Sequence, residues 1–215
     1  MDKARPLPDY LVRRYDGWKA TTYADNSSWY QRLADEGQRP RAMIISCCDS
    51  RVHVTSIFGA DEGEFFIHRN IAGLVPPYGP SGDYHGTSAA VEYAVTTLKV
   101  SNLLVLGHSN CGGVAACDAM AAGDAPELEQ ETSFIGRWMD ILKPGLEMIE
   151  DDSPEDRLKQ LEKAAVLVSI NNLADFPFVA AARDAGTLSV HGLWTDIGAG
   201  VLEVWDPRIG KFSPI

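Results

Sequence analysis

The run Met43-Ile44-Ile45-Ser46-Cys47-Cys48-Asp49-Ser50-Arg51 most constrains what this chain can fold into: it starts as an apolar strand and stops at two cysteines, an acid and an arginine. Leu103-Leu104-Val105-Leu106-Gly107-His108-Ser109-Asn110-Cys111-Gly112-Gly113 repeats the construction, with a buried-looking strand that ends in His-x-x-Cys and a glycine pair. Strands deliver chemistry at their carboxyl ends, so the two ends are expected side by side. Cys47, His108 and Cys111 then supply two soft sulfurs and an imidazole, a set suited to zinc, and three protein ligands leave a fourth position open for water. Cys111 opens a helix, where unpaired amides and the positive dipole end favour a thiolate, and the glycines allow close backbone approach.

The remaining elements fit around these two strands. Residues 8 to 36 read as two helical pieces with Leu11, Tyr15, Trp18, Trp29, Tyr30 and Leu33 amid charges, broken near Asp25-Asn26-Ser27. Such an aromatic arm could pack on its own domain or reach a second subunit, and composition does not choose. After strand one at 42–47 come a short helical turn at 54–58, strand two at 64–68 and a Pro- and Gly-rich loop at 71–83. The pattern then gives a helix at 87–98, strand three at 102–107, helices near 111–122, 132–150 and 154–173, and a further helix from Asp175. Two closing strands, 188–194 and 200–205, could form a hairpin. This alternation predicts an α/β fold, a three-layer α/β/α sandwich with a central mainly parallel sheet. The expected organisation is an N-terminal helical arm, 1–36, and one zinc-binding α/β catalytic domain, 37–215.

Charge and cysteine usage narrow the function class. A net charge of −11 makes nucleic acid and anionic membrane surfaces poor partners. No apolar run is long enough to span a bilayer, and the first residues, charged and proline-rich, lack a secretory apolar region, so a cytoplasmic location is expected. Four cysteines in 215 residues could form disulfides, but Cys47 and Cys48 are adjacent, and metal ligation explains Cys47 and Cys111 better.

Around the metal set, Asp49 has two candidate roles: structural partner of Arg51, whose fork can hold a carboxylate, or acceptor of a hydrogen bond from a zinc-bound water. Cys48 should be turned away from the metal by strand alternation and, like Cys117, serve as a small apolar residue. Of the other histidines, His53, His68, His85 and His191, His85 is the candidate proton shuttle because it lies in a polar loop before a helix.

Cys47-Cys48-Asp49-Ser50-Arg51 and His108-Ser109-Asn110-Cys111-Gly112-Gly113 resemble the zinc motifs of β-class carbonic anhydrases. The similarity continues through Gly63-Glu64, Arg69-Asn70-Ile71-Ala72, Ala89 to Ala94 and His191-Gly192, over roughly residues 37 to 205. It implies one Zn2+ per subunit on Cys47, His108 and Cys111, and interconversion of carbon dioxide and bicarbonate by attack of a zinc-generated hydroxide. It implies that Asp49 orients the hydroxide, that Arg51 holds Asp49, and that Gly112 offers its amide to substrate. Gln38, Phe66, Ile71 and Tyr93 resemble the substrate pocket of plant-type members. A homodimer, or a higher assembly of dimers, with the pocket shared and the arm wrapped on the neighbour is implied as well. Ile44 stands where bicarbonate-regulated members carry a tryptophan, so weak or absent bicarbonate regulation is expected. Hydrolysis of carbonyl sulfide or carbon disulfide on the same site is the enzymatic alternative, and a non-catalytic zinc-binding protein the alternative from another class.

Overall fold

The computed structural model describes residues 4–81, 85–150 and 154–215. It divides into two compact units, Met1–Arg39 and Pro40–Ile215. In the first unit, α1 (Asp9–Trp18) starts directly after Pro8, whose missing N–H costs nothing at a helix start, with the acidic Asp9 in the first turn. A wider turn, Lys19–Tyr23, leads to α2 (Ser27–Glu36). Neither helix buries a residue within this unit. Its apolar contacts are aromatic: Trp18 packs against Tyr23 and Tyr30 with ring centroids 5.4 and 5.7 Å apart, and Tyr23 stacks on Tyr30 at 5.2 Å.

The second unit is built on β1 (Ala42–Cys47), β2 (Phe65–Asn70), β3 (Asn102–His108), β4 (Ser189–Asp196), β5 (Val201–Asp206) and β6 (Lys211–Pro214), in the order β2-β1-β3-β4-β5-β6. The first four are parallel, and β5 and β6 add antiparallel pairs. The closing pair β4–β5 is the expected hairpin, turned by Asp196, whose Oδ1 accepts the amides of Gly198 and Ala199. β6 has no counterpart in the sequence reading, because four residues following a turn show too little periodicity to register.

Helices flank the sheet, and strand alternation divides the core between its faces. Met43, Ile45, Leu103 and Val105 pack against α4 (His85–Glu92) and its continuation Tyr93–Thr97, and against α8 (Pro154–Ala174) and α9 (Pro177–Asp184). Ile44, Leu106 and Leu193 face Val52 and Val54, the latter in α3 (Val54–Phe58). A third cluster joins Cys47, Leu74, Cys111 and Val114 to α5 (Gly112–Ala122), Met139, Leu142 and the Leu161–Val168 stretch of α8.

Three expectations shift. Strand two runs to Asn70, two residues further, in register with Cys47. The helix expected at 132–150 is interrupted: α6 (Phe134–Met139), a tight turn Asp140–Leu142, and α7 (Lys143–Leu146) with proline in its first turn. Residues 82 and 83 of the predicted loop lie outside the described residues. Among those described, no single helix is long and apolar enough to cross a membrane.

Candidate metal centre

β1 and β3 are neighbours in parallel, so their carboxyl ends open on the same edge. Cys47 ends β1, His108 ends β3, and Cys111 sits three residues on at the N-cap of α5. Their ligand atoms lie within 4.8 Å of one another, and all three residues are buried. The two sulfurs are 3.9 Å apart. Two sulfurs on one tetrahedral zinc, at about 2.3 Å each, would stand about 3.8 Å apart.

The imidazole is oriented for the same centre. His108 Nδ1 bonds the Ser109 carbonyl at 2.9 Å, which fixes the N–H on Nδ1 and leaves the Nε2 lone pair free. Nε2 is buried without a hydrogen-bond partner among the described residues. An orphaned buried nitrogen beside two buried sulfurs fits a soft divalent cation, and the donor set fits zinc.

The backbone prepares both sulfurs to carry charge. Cys47 Sγ faces the amides of Asp49, at 3.4 Å, and of Ala72; Cys111 faces those of Gly113 and Val114 at the start of α5. The hydrogen bond from Cys111 pushes the Cys47 thiol down, and the same contact pushes Cys111 up, as expected for two thiols sharing one proton. Ala72 holds the left-handed φ of 62° that aims its amide inward. The close approach of this segment to α5 depends on Gly113, where a Cβ would meet Ile71 Cγ2 at 2.7 Å.

Asp49 lies over the centre on a fork. Arg51 Nε and its own amide donate to Oδ1 at 2.9 Å each, and Nη2 donates to Oδ2 at 2.6 Å. These bonds hold the Asp49 carboxyl well below the usual carboxylate range. Oδ2 lies 4.0 Å from His108 Nε2, on the side facing the ligand atoms. Arg51 Nη2 also donates to the Asn110 carbonyl at 2.9 Å, tying the two strand-end motifs together.

The predicted pocket residues separate. Ile71 and Gly112 lie at the centre, next to Ala72 and Cys111 respectively. Phe66 and Tyr93 pack on each other, ring centroids 5.9 Å apart, at the other end of the sheet. Phe66 is in register with Met43, four residues before Cys47, hence about 13 Å away along the strand. Gln38 is exposed and belongs to the first unit.

Cys48 departs from expectation. It is exposed instead of packed, because β1 ends at Cys47 and the Cys48 amide turns to the Asn70 carbonyl at 2.9 Å, so strand alternation no longer governs it. It borders a cavity of about 720 Å³ with His68, Ile71, His85 and Trp138. Cys117 is buried as expected, and burial pushes its thiol up to about 11. His53, His68 and His191 have local partners in Thr55, Thr87 and Asn102.

Two further residues hold the centre: Glu162, which the sequence analysis did not single out, and Arg69, which it placed within the resemblance without a role at the metal set. Arg69 donates to the carbonyls of Cys47, Asp49 and Val52 at 2.7 to 2.8 Å, clamping the loop that carries Asp49. Glu162, 2% exposed, accepts the Cys111 amide at 3.0 Å and Trp194 Nε1 at 3.2 Å, and burial raises its carboxyl pKa. A signal for Glu162 exists: it sits on the apolar stripe of α8 between Leu158, Leu161 and Ala165, where a carboxylate is out of place.

Fold and centre together define a class: an α/β protein with a Cys-His-Cys cluster able to hold a metal and an arginine-held carboxylate beside it. A sequence model of the family described as carbonic anhydrase matches residues 42–202. The chain is 37% identical over 193 residues to "Beta carbonic anhydrase 3" of Arabidopsis thaliana, covering 88% of this chain and 73% of that one. It is 35% identical over 204 residues to "Beta carbonic anhydrase 5, chloroplastic" of the same plant, covering 92% of this chain and 64% of that relative's length. Among solved structures, the β-carbonic anhydrase CcaA superposes with a TM-score of 0.83 at 24% identity, over 96% of this chain and 91% of the other. A tetrameric β-carbonic anhydrase of Sordaria macrospora gives 0.76 at 30% identity, over 95% and 98%. The chain belongs to the β-carbonic anhydrase family, lyases that hydrate carbon dioxide.

Proposed function

We propose that this chain hydrates carbon dioxide to bicarbonate with one zinc ion per subunit held by Cys47, His108 and Cys111. The observation that carries the residue assignment is the convergence of Nε2 and two Sγ atoms within 4.8 Å, with Asp49 Oδ2 at 4.0 Å from Nε2. Zinc bound there would act as a Lewis acid that makes water a competent nucleophile near neutral pH.

The chain's own residues do the rest. Arg51 occupies one face of the Asp49 carboxylate, so the remaining acceptor capacity of Oδ2 is turned to the open position. There Asp49 accepts a hydrogen bond and orients the attacking oxygen, and its low pKa keeps it an acceptor at working pH. Gly112, at the start of α5, offers a backbone amide to the developing negative charge on substrate.

The working form is a homodimer or an assembly of dimers. Phe66 is about 13 Å along the sheet from its own chain's centre and Tyr93 packs on it, so a pocket that uses them takes them from a second copy. β2 is a sheet edge, and Ile67, Ile71 and Tyr93 are 38, 40 and 44% exposed there. Gln38 and the aromatic arm complete the neighbour's pocket in this reading. The four free thiols suit a reducing, cytoplasmic setting.

Stopped-flow hydration by the zinc-loaded protein, with carbonyl sulfide hydrolysis in parallel, tests the activity. Hydration well above background is expected; its absence, or faster carbonyl sulfide turnover, overturns the reading. Cys47→Ser is expected to lose tight zinc, and metal analysis showing full retention would remove Cys47 from the ligand set.

A further inference from the structure

A buried carboxylate persists only when its oxygens are hydrogen-bonded, and Glu162 spends both of its oxygens on two fixed donors. Oε1 takes the Cys111 amide at 3.0 Å, Oε2 takes the Trp194 indole at 3.2 Å, and the Asn110 amide adds a further favourable interaction. The Cys111 N–H belongs to the same planar peptide unit as the Asn110 carbonyl, and in a trans peptide the two point in opposite directions. That carbonyl accepts Arg51 Nη2 at 2.9 Å. One rigid peptide plane is therefore held on one edge by Glu162 and on the other by the guanidinium that holds Asp49. Asn110 adopts the left-handed φ of 54° that this requires, a region Asn tolerates better than most residues.

The packing brings Glu162 within reach. α8 crosses β3 at Gly107, immediately before His108, where a Cβ would sit 2.8 Å from Val166 Cγ2 and 3.2 Å from the Glu162 carbonyl. Trp194 is 1% exposed and fixes the far oxygen, so the carboxylate cannot turn.

We propose that Glu162 is a positioning residue: by fixing the Asn110–Cys111 peptide it sets the direction of the Cys111 thiolate and, through the Asn110 carbonyl, the seat of Arg51 that aims Asp49. The inference rests on the zinc and Asp49 reading above. Glu162 touches neither substrate nor the reacting atoms.

Glu162→Gln offers one acceptor and one donor to two fixed donors, so one contact must break. Trp194→Phe removes the second donor, which lets the Gln oxygen settle on the Cys111 amide. The expected cost of Glu162→Gln in kcat/KM for hydration, and in chelator-resistant zinc, is about tenfold or more. In a Trp194→Phe background the same step is expected to cost less than about threefold, the coupling read as a double-mutant cycle. With cobalt alone as probe, the thiolate-to-cobalt absorption band shifts in Glu162→Gln and returns toward its Trp194→Phe position in the double variant. Glu162→Asp, which keeps the charge but withdraws the oxygens by about one bond length of 1.5 Å, is expected to be impaired and carries the test should Glu162→Gln fail to fold.

Wild-type metal retention, cobalt spectrum and turnover in Glu162→Gln, or in Glu162→Asp, overturn the inference. An equal loss in both Trp194 backgrounds overturns it too, because the carboxylate would then act through its charge. Failure of the wild-type protein to hydrate carbon dioxide overturns the proposed function instead, so the two outcomes are distinguishable.

Discussion

Arg51→Lys separates the structural and the catalytic worth of the fork over the metal centre. Lysine keeps the positive charge and the backbone bond to Asp49 Oδ1. A point charge cannot hold both carboxylate oxygens and the Asn110 carbonyl at once, as Arg51 does with Nε and Nη2. The stability at stake is small, because the Arg51 and Asp49 side chains are 50 and 16% exposed and water screens such a pair. For a chain of 215 residues a fall in Tm of at most about 4 °C is expected. Orientation is costlier: freeing a carboxylate that orders a metal site loses about 10- to 100-fold in activity. That range corresponds to about 1.4–2.7 kcal/mol of transition-state stabilisation. Thermal unfolding and stopped-flow hydration on the same zinc-loaded samples give both numbers. The reasoning fails if kcat/KM stays within about twofold of wild type. It also fails if Tm drops by much more than the exposed pair can supply, which would make the fork a structural element.

Other consequences are as direct. Ser46 is fully buried and its Oγ has no hydrogen-bond partner among the described residues, so Ser46→Ala is expected to stabilise the fold by about 1 kcal/mol, seen as a higher urea midpoint; a loss would mean the hydroxyl has a partner. Burial lowers the His68 pKa, so the stability its neutral form contributes is complete above its ordinary value of about 6.5 and is lost as pH falls through the lowered value. His68→Gln should flatten the stability profile between about pH 6.5 and the lowered value, and an unchanged slope there in urea titrations would count against the assignment. Stripping zinc with a chelator should lower Tm, with recovery on adding zinc back, because Cys47, His108 and Cys111 are buried with ligand atoms facing one another. A melting curve indifferent to chelator would mean that no metal links them.

How far the sequence could be read depended on how local each cause is. Met43–Cys47 and Leu103–His108 announce buried strands through their own apolar residues, and their ends carry the ligands in the same few positions. The ligand triad, Asp49 and Arg51 could therefore be found without coordinates. Cys48 was misplaced because alternation holds only while the strand lasts, and β1 stops one residue earlier. The helix expected at 132–150 breaks at Asp140–Leu142, ahead of Pro144 in the first turn of α7, where a helix cannot run through without losing a backbone bond. The apolar periodicity of that stretch continues across the break and masks it. Arg69 acts over separations of 17 to 22 residues through backbone carbonyls, which carry no residue-type signature, and Glu162 reaches over 51 residues to a backbone amide, so only its place on an apolar stripe gives it away.

The separation of the pocket residues follows from the same topology that builds the centre. Parallel strands gather the ligands at one edge of the sheet, and the register that sets Cys47 beside Asn70 sets Met43 beside Phe66. No side-chain rotation closes a gap of about 13 Å, since a phenylalanine or tyrosine ring reaches only about half that far from its Cα. Either the aromatic pair serves only to pack β2 against Tyr93–Thr97, or a second copy presents it to this chain's metal. The proposed dimer takes the second course, and Tyr93, 44% exposed in the single chain, leaves its ring open to a neighbour. Activity and assembly are therefore one property in the proposed dimer, and the metal centre of a lone chain holds the chemistry without the walls of its pocket.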